Sequence, residues 1–361
     1  MSKKSKTRYA KLIANPGSGR GEDRGELLEQ VTRCLQDLGI EIDVAIAKPH
    51  EKAIPIARRA VKDGYKLIIA LGGDDTIEAI IRGMAGSKAK LAMIPVGTAN
   101  NLAKSLGIPE DPQQACDLIA SGHVRKLDLG QVKVGKRKKL TFFELVTVGI
   151  GAAIYPDALK ASKGRLSHLK GAIETALNHE TKPEVTVVMN GESTVTVKTM
   201  LTIVSNVPLI GPNMLTNPDA SLEDGMLDVS LYPEFSKAEL LNYSTQVLNE
   251  GSADDGKIQR YRARKLKIKA SPKLDVMADG VMLGQGKVKI KVLEGALRVI
   301  APEVGAGVEK PPEAAGADLP APVAPAVTAS PSVKASPSAK DTPAKNEAMW
   351  PNGSKVAEKI Q

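Results

Sequence analysis

The sequence predicts an α/β N-terminal domain built on a parallel sheet, a C-terminal antiparallel β-sandwich domain, and a disordered Ala/Pro-rich tail. Three observations predict this. Apolar strands alternate with segments of helical period up to about residue 125, and beyond it most apolar residues alternate singly with polar ones. The last 60 residues hold 10 of the 23 prolines and the only tryptophan, Trp350. A segment dominated by Ala, Pro, Ser and Gly, with few large apolar side chains, cannot offset the entropy of ordering its chain. The implied divisions are 8–126, 127–300 and 301–361.

Tyr9 to Ala14 reads as an apolar strand and Asn15 to Gly21 as a glycine-rich turn. From Gly25 to Leu38, Leu27, Leu28, Val31, Leu35 and Leu38 recur at helical spacing. Residues 40–46 alternate like a strand, and 52–63 read as a helix. A strand over 66–71, a helix over 76–85, a strand over 90–94 and helices near 98–105 and 111–120 follow. Strands and helices alternating at these lengths make a parallel sheet with helices on both faces.

In the second half the spacing predicts strands over 127–134, 140–148, 183–190, 193–204, 227–232 and 262–269, with 295–302 closing the ordered part. Helices interrupt them only near 163–178 and 236–248. That succession is mostly antiparallel.

At 42% apolar and 3% aromatic, the 361-residue chain builds its cores from Val, Ile, Leu and Ala. Cys34 and Cys116 sit among apolar residues in helical segments and form no C-x-x-C pair, so they read as buried thiols of a reducing compartment. No run of 18 apolar residues occurs, and residues 1–8 lead into a strand rather than a signal-peptide core. The expected location is cytoplasmic, with peripheral membrane association.

Three strand ends carry similar loops: Asn15-Pro16-Gly17-Ser18-Gly19, Gly72-Gly73-Asp74-Asp75-Thr76, and the run from Pro95 through Gly97, Thr98 and Asn100 to Asn101. The C-terminal ends of parallel strands line one edge, where ligands bind. Glycines there let the backbone approach, and N–H groups at helix starts cradle phosphate oxygens. Thr76 and Thr98 either hold phosphate or cap their helices. Neither G-x-G-x-x-G nor a P-loop ending is present, so the argument rests on three loops recurring at successive strand ends.

Asp74 and Asp75 would repel a phosphate unless a divalent cation or an incoming hydroxyl lies between, which points to phosphoryl transfer with Mg²⁺. One of them could instead cap the helix over 76–85. Asp279 lies in an Asp-Gly turn between two β runs. Glu223, Asp224 and Asp228 either hold a metal or form another turn. His168 and His179 lie in or beside a helix without a metal-like arrangement.

The segments Gly72–Thr76, Ile94–Lys104, Val204–Met214 and Asp219–Val229 closely resemble the diacylglycerol kinase catalytic family, which includes bacterial soluble lipid kinases and sphingosine kinases. The resemblance runs in order from about residue 8 to about 302. It implies ATP-dependent phosphorylation of a lipid hydroxyl, with ATP and Mg²⁺ in a cleft between a nucleotide-binding domain and a β-sandwich domain. Carried over, Asn15, Pro16, Gly17 and Gly19 would contact the nucleotide. Gly72, Gly73, Asp75 and Thr76 would surround its phosphates, with Gly97, Thr98 and Asn100. Asp74 and Asp279 would be the catalytic acids, and Asp74, Asp279 and Asp224 the metal ligands. Three positions depart from the family pattern. Asp75 replaces a glycine, Glu78-Ala79 stands where Asn-Glu is usual, and Val281 stands where the D-G-E motif has its glutamate. Two other readings remain beside the lipid kinase: a small-polyol or NAD kinase, and a catalytically weak or silent member that binds nucleotide or lipid.

The formal net charge is +9. Two basic stretches, Lys133–Lys139 and Lys257–Lys269, would serve docking on an anionic membrane, or else form a solvated face. No zinc-finger spacing or recognition helix appears, and aromatics do not interleave with the basic runs, so nucleic acid is not an expected partner. Expected partners are ATP, a lipid alcohol met at an anionic membrane surface by peripheral contact, and a second copy of the chain in a homodimer.

Overall fold

A computed structural model describes residues 8–15, 24–98, 100–152, 183–210, 214–215, 220–233, 239 and 256–303. The helices expected near 163–178 and 236–248, both histidines between them and the proline-rich tail lie outside the described residues. So do Pro16, Gly17 and Gly19.

The first half runs β1 (Arg8–Ala14), α1 (Arg24–Asp37), β2 (Ile40–Ile46), a short 3-10 turn (His50–Lys52), α2 (Ala53–Lys62), β3 (Leu67–Gly72), α3 (Asp74–Met84), β4 (Lys90–Pro95), α4 (Asn101–Ser105) and α5 (Pro112–Ser121). β2, β1, β3 and β4 pair in that order, all parallel. Every residue of β3 is buried, because the strand lies inside a doubly covered sheet. Ile68 and Ala70 face α2 and α3, while Leu67, Ile69 and Leu71 face α1 and α5. Cys34 and Cys116 are buried and free on that second face. Burial raises the Cys116 thiol pKa, and the neighbouring Cys34 adds to the rise.

The second half runs β5 (His123–Val134), β6 (Leu140–Phe142), β7 (Leu145–Gly149), β8 (Glu184–Met189), β9 (Ser193–Ser205), β10 (Leu209–Ile210), β11 (Met214–Leu215), β12 (Leu227–Pro233), β13 (Gln259–Ala263), β14 (Lys265–Ser271), β15 (Asp275–Ala278), β16 (Val281–Gln285) and β17 (Val288–Ala301). Apart from the parallel contact of β17 with β4, its pairings are antiparallel. Val132, Phe142, Val146, Val187, Val204, Leu266, Ile268, Val288 and Ile290 meet in one sandwich core.

Two long strands join the halves. β17 pairs along most of its length with β5, while its other edge pairs first with β14 and then, at Arg298 and Val299, with β4. The division expected after residue 126 therefore falls inside β5.

Several expected elements differ: the strand expected over 262–269 is divided at Arg264 between β13 and β14, the one expected over 295–302 begins at Val288, and the helix expected near 98–105 begins at Asn101. α3 begins at Asp74 rather than at residue 76, with Gly73 as its N-cap and no side-chain cap. Both aspartates thus enter the first helical turn, and neither Asp74, Asp75 nor Thr76 is the cap. The strand expected over 140–148 is broken at Phe143 and Glu144, where the backbone bends to meet Asp279.

Phe142 is fully buried, with its ring packed over Gly130 on the paired strand, where a side chain could not fit. The Phe142→Ala substitution is expected to cost about 3–5 kcal/mol, read as a shift in the urea unfolding midpoint without a change in slope.

Candidate active site

The site is built where β1, β3 and β4 end. Gly73 and Gly97 meet backbone to backbone: a Cβ on Gly97 would stand 2.6 Å from the Gly73 Cα. These two glycines therefore hold the second and third loops together. Asn100 completes the clasp in a left-handed conformation, φ 53°, which asparagine tolerates better than most residues. Its Oδ1 accepts from Gly97 N at 2.8 Å, and its Nδ2 donates to Gly97 O at 3.2 Å and Glu110 Oε1 at 3.1 Å. Asn15 Nδ2 donates to Thr76 Oγ1 at 2.9 Å, tying the first loop to the second. Thr98 is exposed beside Gly97 and precedes α4, whose cap is Asn100.

The Asn100 backbone N–H donates to Asp74 Oδ2 at 2.9 Å. Asp74 Oδ1 is buried and has no hydrogen-bond partner among the described residues. Burial raises the pKa of this carboxyl, the Asn100 and Asn101 backbone N–H groups pull it down, and the Asp75 charge adds to the rise. Asp75, on the same first turn, is exposed.

Along α3, Asp74, Glu78 and Arg82 follow at intervals of four and share one face. Arg82 lies 3.4 Å from the Glu78 carboxylate. At the far end of this row Arg82 meets Asp279, donating to its backbone carbonyl at 3.0 Å and standing 3.3 Å from Oδ2. Eight residues of helix separate Arg82 from Asp74, about 12 Å.

Asp279 does sit in the expected turn, with φ 39° followed by Gly280 at φ 72°, the left-handed pair that Asp-Gly hairpin turns require. Yet its side chain is fully buried. Oδ2 accepts from Phe143 N at 2.7 Å, and Oδ1 accepts from Glu144 N and Leu145 N, each at 3.0 Å. With Arg82 beside Oδ2, the lone pairs of this carboxylate are occupied.

Glu144, which the sequence reading passed over, belongs to this site. It is 8% exposed, and among the described residues its carboxylate has no hydrogen-bond partner. Burial, with the charges of Asp279, Asp74 and Asp75, pushes its pKa up to about 8 against the pull of Arg82. Burial likewise holds the Glu78 carboxyl well above the usual range, with Glu144 and Asp279 adding to the effect. Two legible signals existed: the four-residue spacing from Asp74 through Glu78 to Arg82, and a lone glutamate in the apolar run Phe142-Phe143-Glu144-Leu145-Val146.

Asp224 lies elsewhere. Its carboxylate pairs with Arg262 and accepts from Met226 N at 2.9 Å within its own turn. Glu223 pairs with Arg125 at 3.0 Å, and Asp228 stands 3.4 Å from Arg262. Among the described residues no three His, Cys, Asp or Glu side chains form a group able to hold a metal ion.

Comparison with known proteins adds the ancestry of this arrangement. Residues 9–132 match the diacylglycerol kinase catalytic domain, and residues 144–301 match the YegS C-terminal NAD kinase beta sandwich-like domain. The chain is 31% identical over 287 residues to the diacylglycerol kinase of Bacillus subtilis (strain 168), covering 75% of this chain and 89% of that one. It belongs to the diacylglycerol kinase family. A second member, from Staphylococcus aureus (strain MRSA252), is 27% identical over 307 residues, 81% of this chain and 92% of its own. The crystal structure of a diacylglycerol kinase from Bacillus anthracis str. Sterne superposes with a TM-score of 0.64 at 21% identity, covering 82% of this chain and 98% of that one. The fold is therefore that of lipid kinases. Among the described residues no helix is long and apolar enough to cross a membrane.

Two measurements test this site. Replacing Asp279 by Asn puts an amide NH2 where a buried backbone N–H needs an acceptor. Asp279→Asn is expected to cost about 2–4 kcal/mol of stability, read by denaturant unfolding. The second concerns Glu144. Its folded pKa of about 8 exceeds the unfolded value, so the folded state keeps a proton that the unfolded chain releases. Stability therefore falls as pH rises from about 4.5 to about 8, then levels off. Glu144→Gln should flatten this slope and raise the melting temperature above pH 8, with the gain shrinking towards pH 5.

Proposed function

We propose that this protein is an ATP-dependent lipid kinase that transfers the γ-phosphoryl group to the hydroxyl of diacylglycerol or a similar lipid alcohol. One observation carries the reading. The loop edge that in this family faces a nucleotide presents a buried carboxylate oxygen, Asp74 Oδ1, with no partner of its own among the described residues. An orphaned buried acceptor is costly unless a ligand satisfies it.

In this reading Gly72, Gly73, Thr76, Gly97 and Thr98 surround the phosphates, and Asn15 and Asn100 hold the loops in place. The family's Mg²⁺ fits Asp74. That ion binds through one or two carboxylates with substrate phosphates and water, which agrees with the lack of a three-ligand protein cage. Mg²⁺ would offset the negative charge between phosphates and Asp74. Asp279 fixes the bend at residues 143–145 at the acceptor end of the cleft. The lipid hydroxyl oxygen attacks the γ-phosphorus, the bond to the β-phosphate oxygen breaks, and the hydroxyl proton passes to a carboxylate. Asp279 has its lone pairs engaged, so Glu144, whose backbone Asp279 holds in place, receives that proton in its ionised form, which grows as pH rises towards its pKa of about 8.

The test is transfer of label from γ-labelled ATP, with Mg²⁺, to diacylglycerol, sphingosine and other lipid alcohols in mixed micelles. A labelled lipid is expected, and Asp74→Ala should lower the rate about 10²-fold or more. Undiminished ATP binding with no labelled lipid would sink the kinase reading in favour of a silent nucleotide-binding member.

A further inference from the structure

On β14, at the start of β17 and at the end of β5, lysines take most of the outward positions, with Gln131 beside Lys291. Val132, Val134, Leu266, Ile268, Val288 and Ile290 point into the sandwich core, so the alternation of a strand sends Lys133, Lys265, Lys267, Lys269, Lys289 and Lys291 to the opposite face. The register sets them side by side. Lys133 lies opposite Lys289 and Lys289 opposite Lys267, one row across three strands. Lys291 lies opposite Lys265 in the next row. Lys133 is half-buried and the other five are exposed. None of the six has an acidic partner at ion-pair distance among the described residues. The nearby Glu294 stands 3.9 Å from Arg264 instead.

Like charges directly opposite one another destabilise a sheet, and solubility needs no such arrangement, since mixed signs serve it as well. Protection of a sheet edge does not explain it either. β14 is paired on both sides, by β8 and β17, and β17 by β14 and β5.

The stripe continues to the candidate site. Gly135 N donates to Lys287 O at 2.9 Å, so the exposed tip carrying Lys136, Arg137, Lys138 and Lys139 adjoins the end of the lysine rows. The Arg137 guanidinium covers Gly284, leaving no room there for a side chain. Gly284 belongs to β16, whose first residues, Val281 and Met282, are 37% and 51% exposed. They directly follow the Asp279-Gly280 turn. A flat basic face thus ends in an exposed apolar pair at the mouth of the acidic cluster.

We propose that this face docks the enzyme on an anionic lipid bilayer, the lysine rows lying against the headgroups and Val281 and Met282 against the acyl boundary. The proposal rests on the lipid-acceptor reading, since the acceptor must be taken from a bilayer. Ammonium groups spread as point charges over a rigid sheet suit a fluid anionic surface, whereas base-specific or bidentate phosphate recognition favours arginine forks. Val281, which stands where the family has a glutamate, then removes a negative charge from the docking edge.

The test separates docking from catalysis. Binding of the full chain to phosphatidylcholine vesicles, with and without phosphatidylglycerol, is measured by flotation at low and high salt, beside K265Q/K267Q/K289Q. In parallel, both proteins phosphorylate a short-chain diacylglycerol in neutral detergent micelles. Wild type should bind only the phosphatidylglycerol vesicles and be released by salt. The triple variant should bind them about 10²-fold more weakly, melt no lower than wild type, and keep its rate in micelles. Equal binding to both vesicle types, unchanged binding by the triple variant, or tighter binding to a DNA duplex than to vesicles would each overturn the proposal. Charge-dependent vesicle binding by a wild type that phosphorylates no lipid in micelles would uphold docking and remove the kinase reading.

Discussion

The arrangement of the site depends on one buried carboxylate. Asp279 accepts hydrogen bonds from three successive backbone N–H groups, at Phe143, Glu144 and Leu145, and meets the Arg82 guanidinium. A charge with no exposed surface is tolerable only when it is paired and hydrogen-bonded in this way. The same bonds end β6, start β7, turn Glu144 into the cleft and lock the β15–β16 hairpin to α3. Arg82 belongs to the phosphate-side half and Asp279 to the sandwich half, so the pair also fixes how the two sets of loops face each other. The paired strands β5 and β17 hold the halves rigidly enough for so exact a fit to persist.

Much of this was legible locally. The alternation of strands and helices up to α5 follows from spacing alone, and the helix and strand limits there shift by a few residues. The two-residue shift at the start of α3 matters most for the site and has a local cause. Thr76 is a strong capping residue by chemistry, but Gly73 adopts the extended N-cap conformation, which draws both aspartates into the first turn. What escaped the sequence was non-local. Nothing near Phe143 marks a break in an apolar β run, because the acceptor that bends it is more than a hundred residues away. The lysine rows are visible strand by strand as alternation, but not as a patch, since only pairing brings Lys133, Lys289 and Lys267 together. Glu144 was missed for a similar reason: the charges that act on it lie on α3 and in the Asp279 turn.

The glycines show how one residue type serves two ends. By sequence, Gly73 and Gly97 open room for a ligand. In the structure they open room for each other, and the phosphate-side loops are held by backbone contact and by Asn100 rather than by side-chain packing. These uses agree, because a loop pinned at its base can present N–H groups without reorganising when an anion arrives.

The departures from the family pattern form a consistent redistribution of charge. Acids appear at Asp75 and Glu78, where the family has a glycine and an asparagine, and disappear at Ala79 and Val281. Negative charge is thereby gathered on the α3 face, around Glu144 and Arg82, and withdrawn from the exposed hairpin edge. Four carboxyl groups, Asp74, Glu78, Glu144 and Asp279, lie at least partly buried around Arg82 and the α3 row, with Asp75 exposed beside them, and the four cannot all be ionised at modest cost. The structure resolves the conflict by ranking them. Asp279 accepts three backbone N–H bonds, Asp74 is partly satisfied by Asn100, and Glu144 and Glu78 retain protons to higher pH. That ranking leaves one carboxylate fixed by hydrogen bonds, one oxygen open beside the glycine loops, and a buried acid that feels the charges of both, the arrangement on which the proposed phosphoryl transfer would draw.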